Sequence, residues 1–482
     1  MADQSKLITL LGFAAAGSLA LTGCFSSSSS SSSDDDDNGD PVETAEREHD
    51  ERSFFVSEDM PAFEAAPGAT AYYGVYDGIQ GEAGYRIEVP DGWDGRLLMW
   101  TRGFGGEGEE LNFGSSLVDI APIRQTLLEA GYAWASSTYS ANFYDARAAI
   151  EDTNKLAANV TDIIADDWDT QYEEPNQILI AGVSMGGHAA AAAVERETME
   201  TAATPVEYAG AMPLCQAEQN QFQWLGDYPR VANYLAGFDE SDYPSFQENL
   251  GLILSEMFVM ETVDGEQVPT WEPAGDRGQR LKDVAMHLTG GERPIFEEGF
   301  RSSANQGNVL GSGGADGTVT GILASNIYDN TDRDYRDEMV NQEIGRVEAD
   351  EDVNPIREDG VRWLPLVQGD FDVPVLTMHT LGDFFVPFVH QRMYLEAAME
   401  YGNEDMLVQR AIRAPGHCDF SPSEFATATS DFLAWVNGGE AAKPAGDEML
   451  DADVIADDHY GCSFTMNDEF VADARAGLAS CE

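Results

Sequence analysis

An apolar segment, residues 177–181, leads directly into the pentapeptide Gly-Val-Ser-Met-Gly and then into an alanine-rich stretch. This order predicts a strand, a tight turn and a helix, with Ser184 at the turn. Pentapeptides of this kind also arise by chance as plain glycine-softened turns. Ser184 is therefore a candidate nucleophile only if the chain also supplies a base, an acid and oxyanion donors.

The same alternation of strand and helix continues through most of the chain. Strand-like segments begin near residue 71, and the alternation resumes at residues 373–387 after a long break. It predicts an α/β fold with a mostly parallel central sheet and helices on both faces. The break, residues 216–360, is rich in aromatic residues, glycine, aspartate and asparagine, and we expect a largely helical insertion there.

The N-terminus carries a targeting pattern. Lys6 precedes an apolar run, residues 7–21, that is too short for a stable membrane span. We expect residues 1–23 to be a signal peptide and residues 24–50, rich in serine and aspartate, to be a flexible tether.

The run ends in Leu-Thr-Gly-Cys, which resembles a bacterial lipobox with Cys24 as the lipidated residue. This resemblance implies export and a lipid anchor in the membrane. Because Phe25 rather than aspartate follows, it implies the outer membrane of a Gram-negative bacterium. The alternative is an ordinary signal peptide with a chance cysteine.

Acidic residues outnumber basic ones by 87 to 26, which gives a formal net charge of −61. Such a field repels nucleic acids and anionic lipid head groups, so the charge argues against a nucleic-acid partner. A carboxylate-rich surface with few lysines serves solubility, or it suits a salty habitat in which salt screens its self-repulsion. We favour the salty habitat.

Among the seven histidines, His417 is the best candidate for a base. The architecture requires the chain order serine, acid, histidine, and His417 follows a late strand in a loop of small residues. The others precede the domain, or lie on helices, in the insertion, within a strand or in the tail: His49, His188, His287, His379, His390 and His459.

The acid should come from the end of the preceding strand, where Asp383 stands. Asp372 precedes that strand and should lie at the wrong edge of the sheet. Asp419 is two residues from His417 and would have to fold back on it. We therefore predict that Asp383 orients His417.

Two backbone N–H groups are candidates for an oxyanion hole. One belongs to Met185, directly after the nucleophile. The other belongs to Phe104, in the segment Arg-Gly-Phe-Gly-Gly after an early strand, where Gly103 would turn the chain. The alternative for this segment is a plain glycine-rich turn.

Together these motifs resemble those of the α/β-hydrolase superfamily. The sequence that surrounds them is similar to that of secreted bacterial serine esterases with prolyl-oligopeptidase-like and tannase-like relatives. Many relatives carry His-Gly where this chain has Arg102-Gly103. The resemblance implies a hydrolase core at residues 51–215 and 361–440, a cap at residues 216–360, and an acidic C-terminal extension at residues 441–482.

Four cysteines follow Cys24, and they allow three pairings. Cys462 and Cys481 are near neighbours, so a local disulfide is the simplest expectation. This leaves Cys215 with Cys418, unless some thiols are free and buried.

The pair His417-Cys418 is similar to tannases and feruloyl esterases, in which a disulfide ties a cysteine beside the base to one beside the nucleophile. Here Val183 occupies the latter position. Cys215, expected at the same sheet edge, is a substitute.

The predicted reaction is hydrolysis of a carboxylic ester, small or polymeric, through an acyl-enzyme on Ser184. The alternatives are a prolyl-oligopeptidase-like peptidase and a non-catalytic binding protein on the same scaffold. No cofactor or metal is expected, because Cys-x-x-Cys spacing is absent and the glycine-rich residues 311–321 lack the acidic spacing of a calcium loop. The oligomeric state is open.

Aromatic residues of the insertion either line an acyl pocket or form the cap's own core, and we expect a core position for most of them. The candidates for substrate binding are Trp224, Tyr228 and Trp271, with Tyr234 and Phe258 beside them.

Overall fold

The computed structural model describes residues 48–57, 63–114, 116–466, 475, 477, 478 and 481. The predicted signal peptide, Cys24 and most of the predicted tether lie outside the described residues. The strands are β1 (Phe55–Val56), β2 (Ala69–Asp77), β3 (Glu82–Pro90), β4 (Arg96–Thr101), β5 (Glu110–Leu111), β6 (Tyr132–Ser137), β7 (Gln177–Val183), β8 (Ala211–Leu214), β9 (Phe258–Val263), β10 (Glu266–Pro273), β11 (Val375–Thr380) and β12 (Leu407–Ile412).

The helices follow the same chain order. They are α1 (Ser116–Glu129), α2 (Ala146–Trp168), α3 (Met185–Ala192), α4 (Arg196–Thr201), α5 (Gln221–Ala236), α6 (Phe246–Met257), α7 (Gly275–Leu288), α8 (Phe296–Phe300), α9 (Ser303–Gly311), α10 (Glu338–Glu343), α11 (Val389–Tyr401), α12 (Pro422–Gly438) and α13 (Ala452–Ile455). Among the described helices, none has both the length and the apolar character that crossing a membrane requires.

The central sheet has the strand order β12-β11-β8-β7-β4-β6-β3-β2 within the described residues. β3 runs antiparallel to both of its neighbours, β2 and β6, and the remaining pairs are parallel. Helices connect most of the parallel strands, as crossover connections require. This is the α/β-hydrolase fold, and it confirms the fold class predicted from the alternation of strand and helix.

The sheet is covered on both faces because its strands place apolar side chains on both. In β4, Leu97 and Met99 pack in one layer with α2, α3 and α11, whereas Leu98 and Trp100 pack in the other layer with α1 and α12. This alternation is the period of two expected of a strand. Each large apolar side chain buried in these layers contributes about 1.5–3 kcal/mol to stability.

Residues 216–360 contain α5 to α10 and a hairpin of β9 and β10. The helices alternate with long irregular stretches, so the segment is less helical than expected, and the hairpin was not predicted. Its turn is formed by Asp264 and Gly265, both with positive φ, and Asp-Gly is a typical two-residue hairpin turn. The insertion, the sheet and its flanking helices belong to one compact unit.

Candidate active site

The turn at Ser184 connects β7 to α3 with φ of 58° and ψ of −122°. This backbone conformation is strained for a residue with a side chain, and such strain is concentrated at functional sites. A Cβ atom on Gly182 would overlap the Thr101 hydroxyl, and one on Gly186 would overlap the Thr101 carbonyl oxygen. The close approach of α3 to β4 therefore requires glycine at both positions.

Two loops at the carboxyl edge of the sheet bring Asp383 and His417 together. Asp383 follows β11, His417 follows β12, and the N–H of Gly382 donates to the carbonyl of Ala414 over 2.9 Å. His417 Nδ1 lies 2.6 Å from Asp383 Oδ2; the Asp383 side chain is fully buried and the His417 side chain is 18% exposed. A carboxylate in this place favours the tautomer with a proton on Nδ1, which leaves Nε2 free to accept one.

Backbone groups fix the second oxygen of Asp383. Its Oδ1 accepts hydrogen bonds from the N–H groups of Phe385 (3.1 Å) and Val386 (2.9 Å). His379 Nε2 lies 3.6 Å from Oδ2, but burial lowers the pKa of His379, so this ring is neutral near pH 7. His417 is therefore the side chain that Asp383 orients most closely.

The competing carboxylates lie elsewhere. Asp372 precedes β11, at the opposite end of that strand. Asp419 Oδ1 lies 3.4 Å from Arg475 Nε. The geometry thus brings Asp383, and neither alternative, to His417 Nδ1.

A disulfide joins the loop between β12 and α12 that carries His417, here called the histidine loop, to the strand beside Ser184. Cys215 follows β8 and is bonded to Cys418, while the carbonyl of Leu214, at the end of β8, accepts a hydrogen bond from the Ser184 N–H over 3.0 Å. Cys418 Sγ lies 3.4 Å from His417 Nε2. Among the described residues, no hydrogen bond joins Nε2 to Ser184 Oγ.

The second disulfide joins Cys462 to Cys481. Within the part of the chain that the structure describes, one group of potential metal ligands lies close together: Cys215, His417 and Cys418. The two sulfur atoms are bonded to each other, so they cannot serve as thiolate ligands.

The segment after β4 passes beside Ser184. A Cβ atom on Gly103 would lie 3.5 Å from Ser184 Cβ, and the Phe104 side chain is 48% exposed. Neither the Phe104 N–H nor the Met185 N–H has an acceptor among the described residues. Both groups are therefore available at the same end of the sheet, as an oxyanion hole requires.

Arg102 holds this segment in place. Its guanidinium is buried, donates to the carbonyls of Gly103 (2.9 Å) and Thr138 (2.6 Å), and stacks 4.5 Å from the centre of the Tyr139 ring. Burial lowers the pKa of Arg102 from its ordinary value. The Tyr139 hydroxyl in turn donates to the Arg102 carbonyl over 3.0 Å. The resemblance implied histidine at this position, so the sequence did not suggest this contact.

Two of the three aromatic residues predicted to bind substrate lie in the packed interior of the insertion. Trp224 and Tyr228 are 2% and 0% exposed, and both rings pack against Phe384. Trp271 is half-buried and packs edge-on against Phe258. The rings of Trp224 and Tyr228 thus occupy the core position expected for most of the cap aromatics, and their role in substrate binding stays a prediction.

Phe385 is an aromatic residue beside His417 that sequence reasoning missed. Its ring lies edge-on to His417, with 5.4 Å between ring centres, and it remains partly exposed. The double phenylalanine after Asp383 was the available signal. The sequence could not tell that Phe384 turns into the insertion while Phe385 turns to His417.

No family model matches the chain. The o-phthalyl amidase of Xanthobacter agilis is 29% identical over 83 residues, which cover 17% of this chain and 18% of that protein. The chain thus spans less than a fifth of the length of this curated relative.

Several solved structures resemble the chain at low identity. Est1E from Butyrivibrio proteoclasticus is 16% identical, with 76% of this chain and 99% of that chain covered and a TM-score of 0.35. The rice cell wall degrading esterase LipA from Xanthomonas oryzae is 12% identical, with 78% of this chain and 91% of that chain covered and a TM-score of 0.36. The Pyrococcus horikoshii acylaminoacyl peptidase is 11% identical, with 81% of this chain and 44% of that chain covered and a TM-score of 0.34. At these values the fold assignment rests on this chain's own strand order.

Proposed function

We propose that the protein hydrolyses carboxylic esters through an acyl-enzyme on Ser184. The observation that carries this proposal is the His417–Asp383 pair, 2.6 Å apart, at the sheet edge that also holds the strained Ser184 turn. A serine hydroxyl is a weak nucleophile alone, and a base oriented by a buried carboxylate is the arrangement that activates it.

In the first half-reaction, Ser184 Oγ attacks the ester carbonyl carbon and His417 Nε2 accepts the hydroxyl proton. The hydrogen bond between nucleophile and base in serine hydrolases often tightens only when substrate binds, and we expect the same of Ser184 and His417. The carbonyl oxygen becomes an oxyanion, and the N–H groups of Phe104 and Met185 donate to it. Removing one such donor typically costs about 100- to 1,000-fold in kcat.

The tetrahedral intermediate then collapses. The bond to the alkoxy oxygen breaks, and the alcohol leaves with the proton from His417 Nε2. A water molecule attacks the acyl-enzyme, His417 accepts its proton, and the carboxylic acid departs as the proton returns to Ser184. Asp383 stabilises the imidazolium that forms in both steps.

An amide bond is the second candidate. The same acyl-enzyme sequence cleaves amides, with His417 protonating the leaving nitrogen. The short match to a protein named o-phthalyl amidase favours including aryl amides among the substrates tested.

We also propose that the chain is exported and carries a lipid at Cys24. The sequence around Cys24 supports this, and disulfides such as Cys215–Cys418 persist mainly in oxidising compartments outside the cytosol. Metabolic labelling with an alkyne fatty acid should mark the full chain and not its Cys24→Ala variant. Equal labelling of both would refute the assignment of Cys24.

A fluorophosphonate probe with the full chain tests the catalytic proposal. We expect covalent labelling and turnover of short-chain and aryl esters by the wild type, and loss of both in Ser184→Ala. Ser430→Ala, which removes an exposed serine on α12, should behave as the wild type. Absence of wild-type labelling and turnover at low and high salt would instead favour a non-catalytic binding protein.

A further inference from the structure

The chain that follows α12 returns to the strand end that precedes His417. Arg413, directly after β12, donates from Nη1 to the carbonyls of Asp458 (2.8 Å) and Tyr460 (3.0 Å). Its backbone N–H donates to Thr465 Oγ1 over 2.9 Å. The C-terminal extension is thus attached to the strand from which the histidine loop emerges.

The same extension packs against the loop that carries Asp383. One apolar cluster combines Met449, Ile455 and Tyr460 of the extension with Leu381, two residues before Asp383, and Ala411 in β12. The extension therefore packs against the chain segments from which both loops of the candidate site emerge.

Arg475 links the C-terminal extension directly to the histidine loop. Its side chain is 2% exposed, and its Nη1 and Nη2 atoms lie 3.0 and 3.1 Å from the two carboxylate oxygens of Glu424. Nη2 also donates to the backbone carbonyl of Asp419, and Nε lies 3.4 Å from Asp419 Oδ1. A two-pronged arginine–carboxylate pair of this kind fixes geometry as well as charge.

Glu424 connects this pair to the start of α12. Its Oε2 accepts the Ser421 N–H over 2.7 Å, and Ser421 Oγ accepts the Glu424 N–H over 3.2 Å, which is a capping box. Arg475 therefore joins two points, Asp419 and Glu424, on the short path that leads from His417 into α12.

We propose that Arg475 is a positioning residue for His417, held at the candidate site by the C-terminal extension. This inference rests on the proposed ester hydrolysis. The Cys215–Cys418 disulfide holds the histidine loop on one side and Arg475 holds it on the other. The Cys462–Cys481 disulfide closes the stretch of chain that carries Arg475.

The test compares kcat and KM for para-nitrophenyl acetate in full chains carrying Arg475→Met or Arg475→Lys. Arg475→Met should lower kcat by about 10- to 100-fold, the cost of a misplaced catalytic group, with little change in KM. Arg475→Lys should recover part of this loss, because it keeps the charge but not the planar fork.

Arg410→Met is the matched control. Arg410 is also buried, pairs with Asp431 of α12 at 2.6 Å and donates to the carbonyl of Ala445 over 3.2 Å. Among the described residues it forms no hydrogen bond or ion pair with the histidine loop. Its loss should lower the thermal midpoint and leave kcat unchanged. All assays are made at a temperature where circular dichroism shows folded protein.

Wild-type kcat in Arg475→Met, or equal losses in Arg475→Met and Arg410→Met, would overturn the positioning role. If Arg475→Met does not fold, wild-type kcat in Arg475→Lys overturns it. Fluorophosphonate labelling of the wild type separates the two proposals: without labelling the hydrolase itself fails, whereas with labelling only the role of Arg475 is at stake.

Discussion

Arg102 illustrates how one buried cation can shape a site through backbone contacts alone. Its guanidinium binds the carbonyls of Gly103 and Thr138, and a Cβ atom on Gly105 would overlap it. Because the Gly103 carbonyl and the Phe104 N–H belong to one trans peptide group, binding of the carbonyl by Arg102 fixes the N–H in the opposite direction. This orientation leaves the N–H of Phe104 available on the opposite side of the segment.

We predict that Arg102→Met lowers kcat for ester hydrolysis by about 10- to 100-fold, because the Phe104 N–H loses its fixed direction. Arg96→Met is the control, since Arg96 lies at the other end of β4 and donates to the carbonyl of Ala130. Steady-state kinetics on folded protein measures both. An unchanged kcat in Arg102→Met would show that the segment keeps its shape without the guanidinium.

The docking of α3 against β4 is the contact between elements on which the Ser184 turn depends. Met185 to Ala192 is buried throughout, and its first turn approaches the Thr101 and Arg102 carbonyls too closely for any side chain on Gly186. The alanine-rich composition of α3 serves the same approach, because small side chains let the helix lie close to the sheet.

Gly186→Ala should destabilise the fold by about 1–3 kcal/mol, the usual cost of forcing an extra methyl group into a packed interior. The same substitution at Gly251, in α6, meets open space and should stabilise the helix by about 0.5–1 kcal/mol. Urea unfolding of both variants gives the comparison. Equal effects at the two positions would contradict the packing argument.

The strands of the sheet and the helices around it could be predicted, because the spacing of apolar residues within each segment indicates its secondary structure. The Ser184 turn and the late loops with Asp383 and His417 were predicted from their positions in that order. The contacts of Arg102 and Arg475, and the direction of Phe385, could not be predicted, since each depends on residues distant in the chain. The same holds for the cap aromatics, whose composition fits a pocket and a core equally well.

The interior of the molecule contains buried glutamates and histidines that have no part in the proposed mechanism. Burial raises the pKa of Glu218 to about 8 and that of Glu195 to about 7. Burial also lowers the pKa of His188 to about 4 and that of His390 to about 3. These two sets give stability opposite dependences on pH.

Between pH 6.5 and 8 the carboxyl groups should dominate. In the folded chain both histidines are neutral across this window, and in the unfolded chain, where the ordinary histidine pKa is about 6.5, they lose their remaining protons early in it. Folded Glu218, in contrast, retains a proton that the unfolded chain has lost. Stability should therefore fall as pH rises through this window, and Glu218→Gln should reduce the slope. Thermal midpoints at pH 6.5, 7.25 and 8 measure it, with the exposed Glu400→Gln as control. A slope unchanged by Glu218→Gln would refute the assignment.

The surface charge sets the last expectation. With 87 acidic and 26 basic residues, repulsive pairs of carboxylates outnumber the attractive pairs that arginine and lysine can form. Salt screens both, so the net effect of adding sodium chloride should be stabilising. The thermal midpoint should rise steeply at low salt and level off toward 1 M, because the screening length falls from about 10 Å at 0.1 M to about 3 Å at 1 M.

Calorimetry or circular dichroism across a sodium chloride series separates screening from preferential exclusion of salt. Screening saturates as the screening length becomes shorter than the spacing of surface carboxylates, whereas exclusion grows steadily with concentration. A midpoint that falls with salt, or rises without levelling, would contradict the repulsion argument. A saturating rise would mean that this carboxylate-rich surface is most stable in a salty environment.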